Sequence, residues 1–187
     1  AEVLNQFKLV YKEGEIKKGR NLLAFEVAKR NVSNFLKMEL ENIKAGDVIK
    51  ILKLEERFER DLLHPDLPFP VKIGGSVDRI EEHNGRIRII DYKTGKVEAA
   101  NVILKTWNGL TTEIKNDKII QILAYAFMFE SYAEGKEIEA GIISFKNLKS
   151  GFLPFLFKDI DKSETVVINS DIAENYKEQI VILLKEI

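Results

Sequence analysis

The chain has no cysteine. That excludes disulfides, thiolate metal sites, iron–sulfur clusters and cysteine nucleophiles together. It also suits a reducing compartment, so a cytoplasmic location is expected. Histidine is nearly as scarce. His64 sits in a proline-rich loop and His83 in a turn, and neither has ligand spacing. Charge of one sign is missing too, because 29 basic residues meet 30 acidic ones. Global charge therefore does not announce a nucleic-acid binder, although a local basic patch would suffice for one. No apolar run approaches the roughly 18–20 residues of a membrane span. The opening AEVLNQFKLVYKEGE lacks the basic-then-apolar layout of a signal peptide, so no membrane partner is expected. An initiator Met is absent as well, which gives the expectation that residues 1–187 are one domain of a longer protein.

What is present is a mixed pattern of helices and strands. GRNLLAFEVAKRNVSNFLKMELENIKAG carries Leu22, Leu23, Phe25, Val27, Val32, Phe35, Leu36 and Leu40 at helical spacing, with Gly46 as a stop. DVIKILKLEERFERDLL alternates in part and predicts a strand; HPDLPFP predicts a loop. VKIGGSVDRIEE and RIRIIDYK predict two strands joined at Asn84-Gly85, a strong signal for a two-residue hairpin turn. A second helix is expected over KNDKIIQILAYAFMFESYAEG, ending near Gly135. EIEAGIISFKN and GFLPFLFKD predict strands, the second at a sheet edge because of Pro154. SDIAENYKEQIVILLKEI predicts a C-terminal helix capped by Ser170 or Asp171. The order α-β-β-β-α-β-β-α is that of an α+β or mixed α/β domain.

The hairpin turn fixes a register. Ile80 faces Ile89, Arg79 faces Ile90, and the next pair outward is Asp78 with Asp91. Opposed like charges in a ladder repel. Residues two apart share a face, which sets Asp78, Asp91 and Lys93 on the side of Ile80 and Ile89, with Arg79, Glu81, Arg88 and Tyr92 on the other. Two carboxylates so close are stable with a divalent cation between them, and oxygen-only ligation suits Mg²⁺ or Mn²⁺. A neighbouring lysine can orient or activate water, or stabilise charge on a phosphate. The bland alternative is an exposed sheet end with a solvated Asp91–Lys93 pair.

GGSVDRI followed by IIDYKTG resembles the core of the PD-(D/E)XK nuclease superfamily in its RecB/AddB-like branch, through Gly75, Asp78, Arg79, Asp91, Tyr92, Lys93, Thr94 and Gly95. QILAY supplies the downstream Gln121 and Tyr125, one helical turn apart. The resemblance implies a restriction-endonuclease-like core, a central mixed sheet flanked by helices. It also implies a Mg²⁺- or Mn²⁺-dependent DNA nuclease, an exonuclease, serving recombination or repair. Its partners would be DNA and a helicase region of the same chain or a helicase subunit. Asp78, Asp91 and the carbonyl of Tyr92 would hold the metal, Lys93 would position the attacking water, and Gln121 and Tyr125 would support the site or touch DNA. Many relatives add a His or Glu from an N-terminal helix. Glu26, Glu39 and Glu41 are on offer there, but none sits in a recognisable match. Glu55 or Glu56 resembles an acidic strand position of this branch. Some relatives bind an iron–sulfur cluster, which a chain without cysteine cannot. With that acid unmatched, a degenerate fold that binds DNA or a partner without cutting is the other reading.

Further candidates are weaker. TGK at 94–96 lacks the glycine spacing and the Ser/Thr of a P-loop. Lys93, Lys96, Lys105, Lys115 and Lys118 form a candidate phosphate-tracking patch, or merely solvate a loop. Trp107 either stacks on a base or caps the core.

Overall fold

The computed structural model describes residues 2–12, 18–158 and 164–187. Its backbone divides into two units, Ala1–Gly46 and Asp47–Ile187. The first holds helix α1 (Glu2–Tyr11), which composition did not signal, and helix α2 (Gly19–Lys44). Phe7 and Phe25 meet edge to face, ring centroids 5.4 Å apart. The expected stop is real. Ala45 closes α2 by donating to Glu41, and Gly46 follows at φ 111°, a left-handed value that glycine accepts without cost.

The second unit is built on a five-stranded mixed sheet. Strands β1 (Ile49–Leu62), β2 (Val71–His83) and β3 (Arg86–Lys93) run as an antiparallel meander. Strand β3 then pairs in parallel with β5 (Ile138–Ser144), and β5 pairs antiparallel with the edge strand β6 (Phe152–Pro154). A parallel pair needs a long crossover. That crossover carries the two-residue strand β4 (Ile103–Leu104) and helix α3 (Asp117–Phe129). Ile80, Ile89, Ala140 and Ile142 meet Ile119, Ile122, Leu123 and Ala126 in the core between sheet and α3. Helix α4 (Ser170–Glu186) joins this core through Ile172, Tyr176, Ile180 and Val181. A small second sheet orders β4, β7 (Leu156–Lys158) and β8 (Glu164–Thr165).

Several sequence expectations are corrected here. GFLPFLF is two strands in two sheets. The N–H of Phe155, fully buried, still donates to the Ala140 carbonyl of β5 at 2.8 Å, and beyond it the chain passes into β7. The cap of α4 is Asn169, one residue earlier than expected, accepting from Ile172 N at 3.0 Å. Helix α3 stops at Phe129, before a single turn over Glu130–Tyr132. Trp107 stacks on Phe157 at 5.3 Å and packs against the core, which decides for the capping role. At the β6 edge the expectation holds. A Cβ added to Gly141 would lie 2.2 Å from the Leu153 carbonyl and 2.8 Å from Pro154 Cα, so only glycine lets β6 lie this close.

The face of β2, β3 and β5 away from α3 carries a charged network beside the buried Ile90 and Ile143. Arg79 pairs with Glu81, both almost wholly buried. Glu81 lies opposite Arg88, at 3.9 Å, and Arg88 opposite Glu139, at 3.4 Å. Arg86 reaches both Glu139 (2.8 Å) and Glu137 (2.7 Å). Arg88 also lies over the Phe152 ring, 4.4 Å from its centre, and Arg79 donates to the Tyr92 hydroxyl at 3.3 Å.

Candidate active site

The hairpin register matches the sequence reading from His83–Arg86 through Arg79–Ile90. There the β2–β3 ladder ends. Asp78 and Asp91 do not form the next cross-strand pair, because Asp78 Oδ2 accepts from the backbone N–H of Tyr92 at 2.7 Å. A side-chain acceptor thus replaces the carbonyl that a continuing ladder would have supplied.

Simple alternation fails at the same place. A Cβ at Gly75 would touch Tyr125 and Met128 of α3, and Ile80, opposite Ile89, faces α3 too. Positions five apart share a face only if the strand breaks its pleat once between them. The β1–β2 pairing skips one position in that interval, where Glu55 would meet Asp78, and Glu55 has φ 47°. The distortion resets Val77 and Gly75 to the α3 side, while Asp78, two residues from Ile80, keeps the expected face, where its charge acts on Asp91 and Tyr125.

Asp91 and Lys93 keep the expected face, opposite Ile142 and Ser144 of β5. Asp91 is 4% exposed. Lys93 Nζ lies 2.8 Å from Asp91 Oδ2, but it is poorly aligned, and this buried oxygen has no hydrogen-bond donor. Burial pushes the Asp91 carboxyl above its ordinary range despite the Lys93 ammonium, and the Asp78 charge adds to the rise.

Helix α3 supplies the remaining groups from one face. Gln121 Oε1 accepts from Lys93 Nζ at 2.8 Å, and Gln121 Nε2 donates to the Tyr125 hydroxyl at 2.7 Å. The i, i+4 pair expected to support the site is therefore in contact with it. Burial raises the Tyr125 hydroxyl above its usual value, and the charges of Asp91 and Asp78 push the same way. One turn earlier, Lys118 holds Asp117 at 3.1 Å. Burial alone would raise Asp117, but hydrogen bonds from Lys118, with the Lys93 charge nearby, hold it low. Lys118 belongs to the candidate phosphate-tracking patch read from the sequence, whereas Asp117 was missed; its position four before Gln121 on a helix was the available signal.

Glu55 is exposed, and Glu56 pairs with Lys53 at 2.7 Å. Glu26, Glu39 and Glu41 belong to α2, in the first unit. Lys96 pairs with Glu98 at 2.5 Å and Lys115 with Glu113 at 2.6 Å, while Lys105 is exposed. Among the described residues no three His, Cys, Asp or Glu side chains gather as a metal cage. Two carboxylates with one orphaned buried oxygen still fit a hard divalent cation that completes its shell with water or substrate oxygens. The Tyr92 group tied to Asp78 is its amide N–H.

Residues 8–187 match the family model of the PD-(D/E)XK nuclease superfamily. No curated protein matches the chain. A solved structure described as "Crystal structure of SSO0001" is 14% identical, with 97% of this chain and 85% of that one covered and a TM-score of 0.28.

Proposed function

The chain belongs to the PD-(D/E)XK nuclease superfamily, and we propose that it is a RecB/AddB-like deoxyribonuclease that hydrolyses phosphodiester bonds with Mg²⁺ or Mn²⁺. Members of this superfamily are generally nucleases and typically use divalent metal ions. The observation that carries the reading is the buried Asp91 carboxylate next to Asp78, its Oδ2 met only off-axis by the Lys93 ammonium at 2.8 Å. Two neighbouring carboxylates, one of them buried, with one off-axis ammonium beside them, are costly unless a further cation compensates them.

Asp78 and Asp91 hold the metal, with the Tyr92 carbonyl as a further oxygen. When bound, the metal polarises the scissile phosphate and lowers the pKa of water. Lys93 orients the attacking water and offsets charge that builds on the phosphate. Gln121 fixes the Lys93 ammonium, and Tyr125 fixes Gln121. Lys96 and Lys105 contact the DNA backbone. Exonuclease action in recombination or repair, in the cytoplasm and beside a helicase region or subunit, is the setting that the motif order supports.

The test is a labelled linear DNA incubated with the chain in Mg²⁺, Mn²⁺ or chelator. Metal-dependent shortening that Asp91→Asn abolishes supports the reading. DNA binding without cleavage in either metal would replace it with the degenerate, non-cutting fold.

A further inference from the structure

Asp91 Oδ2 has one close polar neighbour, the Lys93 ammonium at 2.8 Å, and that ammonium has a second acceptor, Gln121 Oε1, also at 2.8 Å. Two acceptors thus share one lysine, and they differ in kind. The carboxylate is charged, buried and short of donors; the amide is neutral and anchored by its own bond to Tyr125. An ammonium and a divalent cation need the same oxygen, and Oδ2 is too enclosed to serve both. We propose that Lys93 is a built-in placeholder for the metal, its ammonium occupying Asp91 Oδ2 until a divalent ion displaces it, and that Gln121 is the positioning residue that retains the ammonium beside the site afterwards. The inference rests on the metal-site reading above.

The geometry makes the exchange inexpensive. Lys93 already touches its destination, so leaving Asp91 requires no new rotamer search and no open space. The lysine loses a misaligned ion pair and keeps an amide acceptor. Without Gln121, displacement would strand a half-buried ammonium against an incoming divalent charge. Gln121 therefore assists metal binding without touching the metal, and only because Lys93 is there.

The experiment is a Mn²⁺ titration of the full chain, with free Mn²⁺ read directly by its electron paramagnetic resonance signal. The variants are Lys93→Met, Gln121→Leu, the double variant and Asp91→Asn. Lys93→Met removes the competitor with little change of volume, and Mn²⁺ affinity should rise by on the order of tenfold. Gln121→Leu should weaken Mn²⁺ binding in the presence of Lys93 and leave it unchanged in the Lys93→Met background. A purely structural Gln121 would weaken binding in both backgrounds. Asp91-dependent binding that is equal or weaker in Lys93→Met would overturn the placeholder and leave the metal site standing. Absence of Asp91-dependent binding in both wild type and Lys93→Met would overturn the metal reading itself. If melting shows Lys93→Met unfolded, Lys93→Gln carries the same comparison with a neutral polar group.

Discussion

The two faces of β3 both bury ionisable groups, and they do so in opposite ways. On the face away from α3, Arg79, Arg86 and Arg88 meet Glu81, Glu137 and Glu139 in a chain of ion pairs. Cations and anions alternate there; Arg79–Glu81 runs along β2, while Glu81–Arg88 and Arg88–Glu139 follow the strand register. On the α3 face the Lys93 ammonium lies 2.8 Å from Asp91 Oδ2 without good alignment, and the Asp78 charge adds to the load on Asp91. Burial of charge alone thus does not mark chemistry. The far face matches three arginines with three glutamates, whereas on the α3 face two carboxylates, Asp78 and Asp91, face one ion-paired lysine, and it is that excess of negative charge that marks a candidate site.

The sharpest way to separate the faces is to remove one charge from each. Lys93→Ala should lower cleavage by about a thousandfold or more, roughly 4 kcal/mol of barrier, while leaving the melting curve near wild type. Labelled DNA in Mn²⁺ reads the first quantity and calorimetry the second. Undiminished cutting would remove Lys93 from the mechanism. Glu81→Ala should do the reverse. It leaves Arg79 buried against a lost partner, so stability should fall by about 3 kcal/mol in a urea melt, with cleavage by the folded fraction unchanged. A neutral effect on stability would show that the far face is not the closed network described.

Asp91→Asn probes the same contrast at smaller scale. The Asp91 pKa is raised in the folded state, so its charged form opposes folding. The penalty is absent below the ordinary carboxylate value of 3.8, grows as pH climbs through the raised pKa, and is constant above it. In chelator, wild type and Asp91→Asn should therefore melt alike in acid. The mutant should become the more stable toward neutral pH, by roughly 1.4 kcal/mol for each pH unit by which the carboxyl is raised. The mutant should also lose the extra stability that millimolar metal gives wild type. A mutant less stable than wild type in chelator at neutral pH would mean that Lys93–Asp91 is a structural salt bridge. The smallest effect concerns the periphery. Lys105→Glu should reduce the salt slope of DNA binding by about one unit in Ca²⁺, and Lys96→Glu by less, because Glu98 already holds Lys96. A salt-independent affinity would point to a protein partner instead.

Much of this site was legible because hairpin turn chemistry sets register, and register sets which side chains can meet. Asn84-Gly85 was enough to align Arg79 with Ile90 and to send Arg79, Glu81 and Arg88 to the far face. The register failed where a side chain intervened. The carboxylate of Asp78 takes the Tyr92 amide and ends the ladder, an outcome that periodicity does not encode. The Gln121–Lys93 contact followed a motif resemblance rather than physics, since a helical Gln and Tyr pair is ordinarily unremarkable. Asn169 lost out to Ser170 and Asp171 because all three residue types cap helices well. The break inside GFLPFLF needed Pro154 to be read as a change of sheet, not only as an edge.

The close approach of β6 at Gly141 has a consequence for self-association. A sheet with free edges is a template for joining another copy strand to strand. Here one edge strand is three residues long and ends in proline, pressed so close to its neighbour that a methyl group at Gly141 would pry it away. The other edge, β1, is long, but a register shift after Ile51 and the left-handed Glu55 interrupt it, and Lys50, Lys53, Arg57 and Glu59 stud its length. Neither margin offers the flat, apolar run that fibrils grow from. A Gly141→Ala change would therefore threaten solubility as well as stability, by freeing the Pro154 edge into the solvent.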